Sequence, residues 1–367
     1  MTAHDRVTAD DRRFMRRALR LAGRGWGRVH PNPMVGALVV RDGVVIGEGY
    51  HAEYGGDHGE VAALRAAGEA ARGQTLYVTL EPCAHYGKTP PCTDAILAAG
   101  IRRVVFAAHD PTEHASGGAE ILRAAGLEVV GGVEEDAARR QNAIFFHSAS
   151  SPLPFVALKF GLTLDARIAA SPEKPSQVTG RTSLARVHRL RAGFDAIMVG
   201  GRTARVDDPL LTVRGNPQPR KAPVRVILDP GADLPVGSRL VRTVDSAPVW
   251  VVCAEDAPRD RRKALAVAGV RVLTAPRSGT GLDLHAALGV LRGEGVASIW
   301  CEGGGRLGAA LLNAELVQRM YLVYAPKFYG DSGVPAFPDI GAQEGLWTLS
   351  QLRRSGNDAL LVLDRKV

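Results

Sequence analysis

No run of about 18 apolar residues occurs in the 367-residue chain, so no membrane-spanning helix is expected and no membrane partner follows. Met1 to Arg20 is studded with charge and has no apolar segment, which argues against a secretory signal and makes a cytoplasmic location the expectation. Cysteine is scarce. Four in a chain of this length are too few for a disulfide framework, and in a reducing compartment a close pair reads as metal-binding or catalytic. Cys253 and Cys301, set in apolar strand-like runs, read instead as buried thiols. Internal repeats and low-complexity tracts are missing, and a Rossmann dinucleotide fold is not expected.

What is present fits a globular protein of two domains: 46% hydrophobic and 23% charged residues, over a length that one core does not comfortably support. The net charge of +8 is unevenly placed. Residues 1–147 hold 17 Lys/Arg against 18 Asp/Glu, and residues 148–367 hold 29 against 20. The near-neutral first part argues against a groove that tracks nucleic-acid phosphates, while the basic second part suits anionic ligands.

Helical periodicity runs from about Asp10 to Ala22, with Phe14, Ala18, Leu21 and Ala22 on one face. Met34–Val40 and Val44–Glu48 flank Arg41-Asp42-Gly43 and predict a hairpin. A helix from about His58 to Arg72, a strand at Thr75–Leu80, a helix near Thr93–Ala99, a strand at Arg103–Ala107, a helix to Ala125 and a strand at Leu127–Val130 follow. That alternation predicts a central sheet with helices on both faces. His147 to Pro154, small, polar and proline-bearing, predicts a linker between domains at 1–147 and 154–367. A second α/β series follows, with strand-like runs at Phe155–Phe160, Ala196–Val199, Val224–Leu228, Val249–Cys253, Ser298–Cys301 and Met320–Ala325.

The chemistry concentrates in two pieces of the first domain. His58-Gly59-Glu60 opens a helix, and Pro82-Cys83 with Cys92 spans a strand end and the next helix start. His58, Cys83 and Cys92 offer three ligands that suit zinc and leave a fourth position for water, the mark of a catalytic site. Glu60, two residues from the histidine, can take a proton from that water and return it to the leaving amine, as in zinc deaminases. His51-Ala52-Glu53 matches the same H-x-E pattern but falls in a loop. A purely structural zinc is the competing reading, with His85 as the fourth ligand. In the second domain Glu302-Gly303-Gly304-Gly305-Arg306 follows an apolar strand and precedes the helix-like Leu307–Asn313, a turn whose amides can cradle phosphate.

Thr79-Leu-Glu-Pro-Cys-Ala-His-Tyr-Gly-Lys-Thr-Pro-Pro-Cys92, together with His30-Pro-Asn-Pro-Met-Val-Gly36 and Gly47-Glu-Gly-Tyr-His51, closely resembles the riboflavin-biosynthesis pyrimidine deaminases. Lys159 to Arg167, Gly200 to Arg214 and Trp300 to Gly305 resemble the reductase fused to them in the bifunctional family. The resemblance implies an N-terminal cytidine-deaminase-like three-layer α/β domain and a C-terminal dihydrofolate-reductase-like α/β domain. It implies Zn2+ and NADPH as cofactors, phosphorylated pyrimidines as substrates, no nucleic-acid partner and a homo-oligomer. Asn32, His51, His85 and Lys88 would contact the pyrimidine and its ribose phosphate. Gly161, Thr203, Asp207, Gly304, Gly305, Arg306 and Leu307 would face NADPH. Ser176, Arg191, Leu211, Arg214 and Glu302 would face the second substrate.

Three departures from the family pattern stand out. Gly59 replaces the usual alanine and is expected to loosen the helix start by up to about 1 kcal/mol. Ala166 replaces the glycine of Leu-Asp-Gly, and Gln177 or Val178 stands where some relatives carry a tryptophan beside Ser176. A single-activity deaminase with a scaffolding second half, and a nucleic-acid deaminase using the basic half, are the alternative functional readings.

Overall fold

The computed structural model describes residues 7–87, 89–112 and 115–366, and the chain divides between Ser150 and Ser151 into two units, each with its own sheet and core. The first unit runs α1 (Ala9–Ala22), β1 (Gly36–Arg41), β2 (Val44–Tyr50), α2 (Gly59–Ala67), β3 (Thr75–Leu80), α3 (Cys92–Ala98), β4 (Arg103–Ala108), α4 (Gly118–Ala124), β5 (Glu128–Val130), α5 (Glu135–Gln141) and α6 (Ala143–Ser150). Its sheet has the order β2-β1-β3-β4-β5, antiparallel at β2/β1 and β1/β3 and parallel from β3 to β5. The hairpin closes over Asp42 and Gly43, both at positive φ, as a tight two-residue turn requires. Nearly every side chain of β3 and β4 is buried, which explains why these strands read as continuous apolar runs.

Two contacts place the helices. A Cβ on Gly47 would lie 2.4 Å from the Ala63 carbonyl oxygen, and one on Gly49 would lie 2.4 Å from the Ala63 amide. Helix α2 therefore rests directly on the backbone of β2, an approach only glycine allows. On the other contact, Thr8 caps α1 by accepting from Asp11 N, and Asp11 returns the favour to Thr8 N. The same Asp11 carboxylate, 1% exposed, accepts from the Tyr77 hydroxyl at 2.8 Å and from two nitrogens of Arg103 at 2.7 and 3.1 Å. It ties α1 to β3 and β4 at once.

The second unit runs β6 (Phe155–Leu162), β7 (Arg167–Ala169), α7 (Arg181–Arg191), β8 (Ala196–Gly200), α8 (Gly201–Asp207), β9 (Val224–Leu228), α9 (Arg239–Arg242), β10 (Val249–Ala254), α10 (Arg259–Val267), β11 (Arg271–Ala275), the short pair β12 (Arg277–Ser278) and β13 (Gly281–Leu282), α11 (Leu284–Gly293), β14 (Ser298–Cys301), α12 (Gly305–Asn313), β15 (Arg319–Tyr324), β16 (Val334–Pro335), β17 (Trp347–Ser355) and β18 (Asp358–Arg365). Nine strands form one sheet in the order β11-β10-β9-β8-β14-β6-β15-β18-β17, parallel except where β18 joins β15 and β17. Cys253 and Cys301 are buried in β10 and β14. Among the described residues no helix is long and apolar enough to cross a membrane.

Some sequence expectations shift. The helix predicted from His58 to Arg72 begins at Gly59, with His58 as its N-cap, and stops at Ala67 because Gly68 turns to positive φ. Helix α6 runs through His147–Ser150, the first half of the predicted linker, so the division falls three residues later than expected. The hairpin β17–β18 is not foreseen at all, because β17 is exposed along most of its length and shows little alternation. Ala166 sits at φ +55, a left-handed position costing an alanine about 1 kcal/mol or more that the family's glycine would not incur.

Burial alone would raise the Asp11 pKa, but Arg103, the Thr8 amide and Tyr77 outweigh it and hold the carboxyl at about 2. A carboxyl depressed in the folded state stabilises above its unfolded pKa and loses that contribution as pH falls toward its folded pKa. Asp11→Asn should cost about 2–3 kcal/mol at neutral pH. The variant should also lack the share of acid destabilisation that falls between about pH 4 and pH 2 in the parent. Denaturant unfolding at pH 7 and across that acid window checks both.

Candidate functional site

The start of α2, the end of β3 and the start of α3 meet at one point. His58 stands as N-cap of α2, Cys83 three residues past β3, and Cys92 is the first residue of α3. Their ligand atoms all lie within 4.8 Å of one another. His58 Nδ1 is 3.2 Å from Cys92 Sγ and 3.6 Å from Cys83 Sγ. Tetrahedral zinc with ordinary Zn–N and Zn–S bond lengths would set such atoms about 3.6 Å apart, so the donor set and its spacing fit this metal. Cys92 N donates to Cys83 Sγ, and Thr89 Oγ1 lies 3.4 Å from His58 Nε2, the ring nitrogen turned away from the sulfurs.

Electrostatics favour a thiolate at Cys83. The hydrogen bond from Cys92 pulls the Cys83 pKa down to about 4, while Cys92, beside it, is held well above the usual thiol range. His58 is raised, chiefly by its hydrogen bond to Cys83. Glu60 is 3% exposed on the first turn of α2; burial pushes its pKa up to about 7, and its Oε2 has no hydrogen-bond partner. Gly59 has a reason beyond helix looseness: a Cβ there would come 2.9 Å from the Val35 carbonyl oxygen.

His58, Glu60 and Cys83 open onto a cavity of about 230 Å³ that Asn32, His51, His85, Tyr54, Glu81, Thr89, Asp110, Thr112 and Phe145 also line. Asn32 Nδ2 is 3.1 Å from His51 Nε2, and His51 Nδ1 is 2.8 Å from the Asp57 carbonyl oxygen. Burial draws the His51 pKa below the usual histidine value. His85 lines the cavity but does not join the three-ligand cluster, so among the described residues the structural-zinc reading has no fourth protein ligand. Lys88 lies outside the described residues. Glu81, Asp110 and Thr112 are missed by sequence reasoning, because nothing in their spacing marks them.

In the second unit the glycine turn joins β14 to α12. Gly304 caps α12 with no side-chain acceptor, leaving the first-turn amides free of a side-chain cap. A Cβ on Gly304 would lie 3.0 Å from Thr203 Oγ1, and one on Gly200 3.8 Å from Leu307 Cδ2, so Thr203, Gly304 and Leu307 form one group at the ends of the adjacent strands β8 and β14. An anion-binding helix start at parallel strand ends suits a dinucleotide phosphate, and these residues fit NADPH. Asp207 ends α8, its pKa raised by burial. Gly161 sits on β6 against Thr179.

The residues expected at the second substrate behave differently from one another. Arg191, expected to face the second substrate, binds Glu302 with its guanidinium at 2.6 and 2.9 Å and the Thr212 carbonyl at 2.8 Å. Burial works against ionisation of Glu302, yet Arg191 prevails and holds it at about 2. Lys159, noted in the sequence only as part of its motif, is a half-buried cation acting on that carboxylate, its pKa lowered by desolvation. His188 lies among the same charges, lowered by burial and then by Arg191 and Arg214. Leu211 is buried at φ +47, Arg214 is exposed, and Ser176 Oγ accepts from Ala170 N. Arg191→Met should destabilise the second unit by about 3 kcal/mol by removing the arginine partner of Glu302 and leaving it only Lys159 and the Trp300 indole. Thermal unfolding followed with an assay of each unit checks that the first unit is spared.

Residues 8–108 match the family described as the cytidine and deoxycytidylate deaminase zinc-binding region, and residues 154–361 the RibD C-terminal domain. The riboflavin biosynthesis protein RibD of Aquifex aeolicus is 41% identical over 322 residues, covering 88% of each chain. That of Escherichia coli is 36% identical over 96% of this chain and 99% of its own. The structure of Acinetobacter baumannii RibD superposes with a TM-score of 0.83 at 35% identity, covering 98% of this chain and 99% of that one. The Thermotoga maritima protein described as a diaminohydroxyphosphoribosylaminopyrimidine deaminase/5-amino-6-(5-phosphoribosylamino)uracil reductase gives 0.82 at 33% identity, covering 97% and 99%.

Proposed function

The chain belongs to the RibD family of bifunctional riboflavin-biosynthesis enzymes, which join a zinc-dependent deaminase to an NADPH-dependent reductase, and from that footing we propose how its own residues carry the two reactions. The first unit removes the 2-amino group of 2,5-diamino-6-ribosylamino-4(3H)-pyrimidinone 5′-phosphate by water and releases ammonia. The observation carrying this reading is the His58–Cys83–Cys92 cluster opening onto the same cavity as a buried Glu60 with a free carboxyl oxygen. When bound, zinc supplies an acidified water to the pyrimidine C2. Glu60 is placed to accept one water proton at its unpartnered Oε2 and pass it to the neighbouring ring nitrogen, then to take the second proton from the hydroxyl now on C2 and give it to the amine, which leaves as ammonia while C2 becomes a carbonyl. Asn32 presents a donor and an acceptor to the base edge, held by His51, and His85 and Lys88 meet the ribose phosphate.

The second unit reduces the ribosyl group of 5-amino-6-(5-phosphoribosylamino)uracil to ribityl. NADPH, when bound, supplies the hydride to C1′. The amides of Gly304, Gly305, Arg306 and Leu307 at the start of α12 take a cofactor phosphate, with Thr203, Asp207 and Gly161 around it. Ser176, Leu211 and Arg214 hold the substrate, and Glu302 faces it, kept ionised and oriented by Arg191. Opening the ribose ring requires a proton on its oxygen, and Lys159, half-buried near Glu302 with a lowered pKa, is the group suited to give it.

The test is a two-step assay on zinc-loaded protein: ammonia release from the diaminopyrimidinone phosphate, then NADPH oxidation once the cofactor is added. Glu60→Gln should slow ammonia release by about 10²- to 10⁴-fold while NADPH oxidation with the deaminated substrate is unchanged. A zinc chelator should separate the two steps in the same way. No ammonia from the loaded parent protein would sink the assignment. We further place the chain in the cytoplasm as a homo-oligomer. Edge strand β17 supports the latter, exposing Leu349 and Leu352 for a second copy to cover. Light scattering should give at least twice 38.9 kDa.

A further inference from the structure

Glu81 follows β3 directly and stands two residues before Cys83, yet it is neither a metal ligand nor a proton carrier in the reading above. Its side chain is 2% exposed. Oε1 accepts from Ala119 N in the first turn of α4 at 3.0 Å. Oε2 accepts from His109 Nδ1 at 3.0 Å and from Asp110 N at 3.4 Å. All three donors lie beyond β4, two in the residues directly after it and one in the first turn of α4, and none belongs to β3. Where the carboxylate joins the two segments electrostatically, a second contact joins them sterically. A Cβ on Gly118 would fall 1.8 Å from the Pro82 carbonyl oxygen, so the start of α4 sits on the peptide between Glu81 and the Cys83 ligand. Ala84 N then donates to the Ala115 carbonyl at 3.4 Å.

That segment forms a wall of the cavity through Asp110, Thr112 and Ala115. Asp110 Oδ1 accepts from Thr112 N at 2.9 Å and from its hydroxyl at 2.5 Å, and Ala115 N donates to the Thr112 carbonyl at 3.2 Å, so the three wall residues are linked to one another. The wall is fixed to the metal-bearing strand end through Glu81. We propose that Glu81 is a positioning residue of the deaminase: it sets the wall residues Asp110, Thr112 and Ala115 at a fixed distance from the cysteine ligand and so shapes the substrate pocket without touching the reacting atoms. An amide in its place offers one acceptor oxygen to three donors and turns an N–H toward at least one of them.

The proposal rests on the deaminase reading, and the experiment keeps the two separable. Full-length, zinc-loaded parent, Glu81→Gln and His109→Ala proteins are compared for ammonia release over a range of diaminopyrimidinone phosphate, with zinc content and NADPH oxidation measured on the same preparations. Glu81→Gln should raise KM about tenfold or more, with kcat within about threefold of the parent, since a wall displaced by a fraction of an ångström weakens substrate placement. Zinc content and NADPH oxidation should be unchanged. His109→Ala, at a half-exposed ring, should shift KM the same way by about two- to threefold and decides the matter if Glu81→Gln fails to fold. Unchanged KM in a folded, zinc-loaded variant overturns the positioning role while leaving the deaminase reading intact. A kcat loss at constant KM overturns it too, by putting Glu81 at the chemistry. A parent protein that releases no ammonia overturns the deaminase reading, and this proposal with it.

Discussion

A tetrahedral metal accepts nitrogen and sulfur ligands only when they stand about 3.5 Å apart, and the first unit is organised around meeting that distance. The ligands come from three separate elements, so the start of α2, the end of β3 and the start of α3 must converge. Each is fixed from outside the site. Helix α2 is laid on β2 by glycines that permit backbone contact, β3 is buried within the sheet, and α3 follows a short loop whose ends are joined by hydrogen bonds at Cys83. The convergence also buries Glu60, whose raised pKa arises from the same packing.

Three carboxyl groups in this chain show how surroundings divide roles among chemically similar side chains. Asp11 and Glu302 each face an arginine and are held near 2, where they remain charged and fixed. Their partners make them struts. Glu60 has no cation bound to it and keeps an oxygen free, so its proton can come and go near neutral pH. An arginine, backed by further hydrogen-bond donors or a lysine, distinguishes Asp11 and Glu302 from Glu60.

The metal trio and Glu60 were legible in the sequence because the chemistry needs rare residue types at positions the backbone fixes: a histidine and glutamate two apart at a helix start, and cysteines at a strand end and the next helix start. Strand and helix alternation was legible for the same local reason, down to the Asp42-Gly43 turn. Contacts between distant residues were not. Nothing in the sequence pairs Asp11 with Arg103, Arg191 with Glu302, or Glu81 with Ala119, since each partner is an ordinary charged or small residue taken alone. Arg191 illustrates this: the family resemblance offers it as a substrate contact, and only the folded chain shows its hydrogen bonds to Glu302. Strand β17 escaped because an edge strand facing solvent on both sides lacks the alternation that betrays its inner neighbours.

The division of the chain at Ser150, with a separate hydrophobic core on either side, bears on how a cell can manage the two steps. Because both cores are translated from one message, their active centres are made in equal number whatever the rate of expression. Gene dosage cannot favour one over the other. Any imbalance between supply and consumption of the deaminated compound has to be corrected within the centres themselves, by amino-acid changes that alter turnover or affinity. Separate cores make such tuning possible, since a substitution that slows or speeds one centre need not disturb the packing that supports the other.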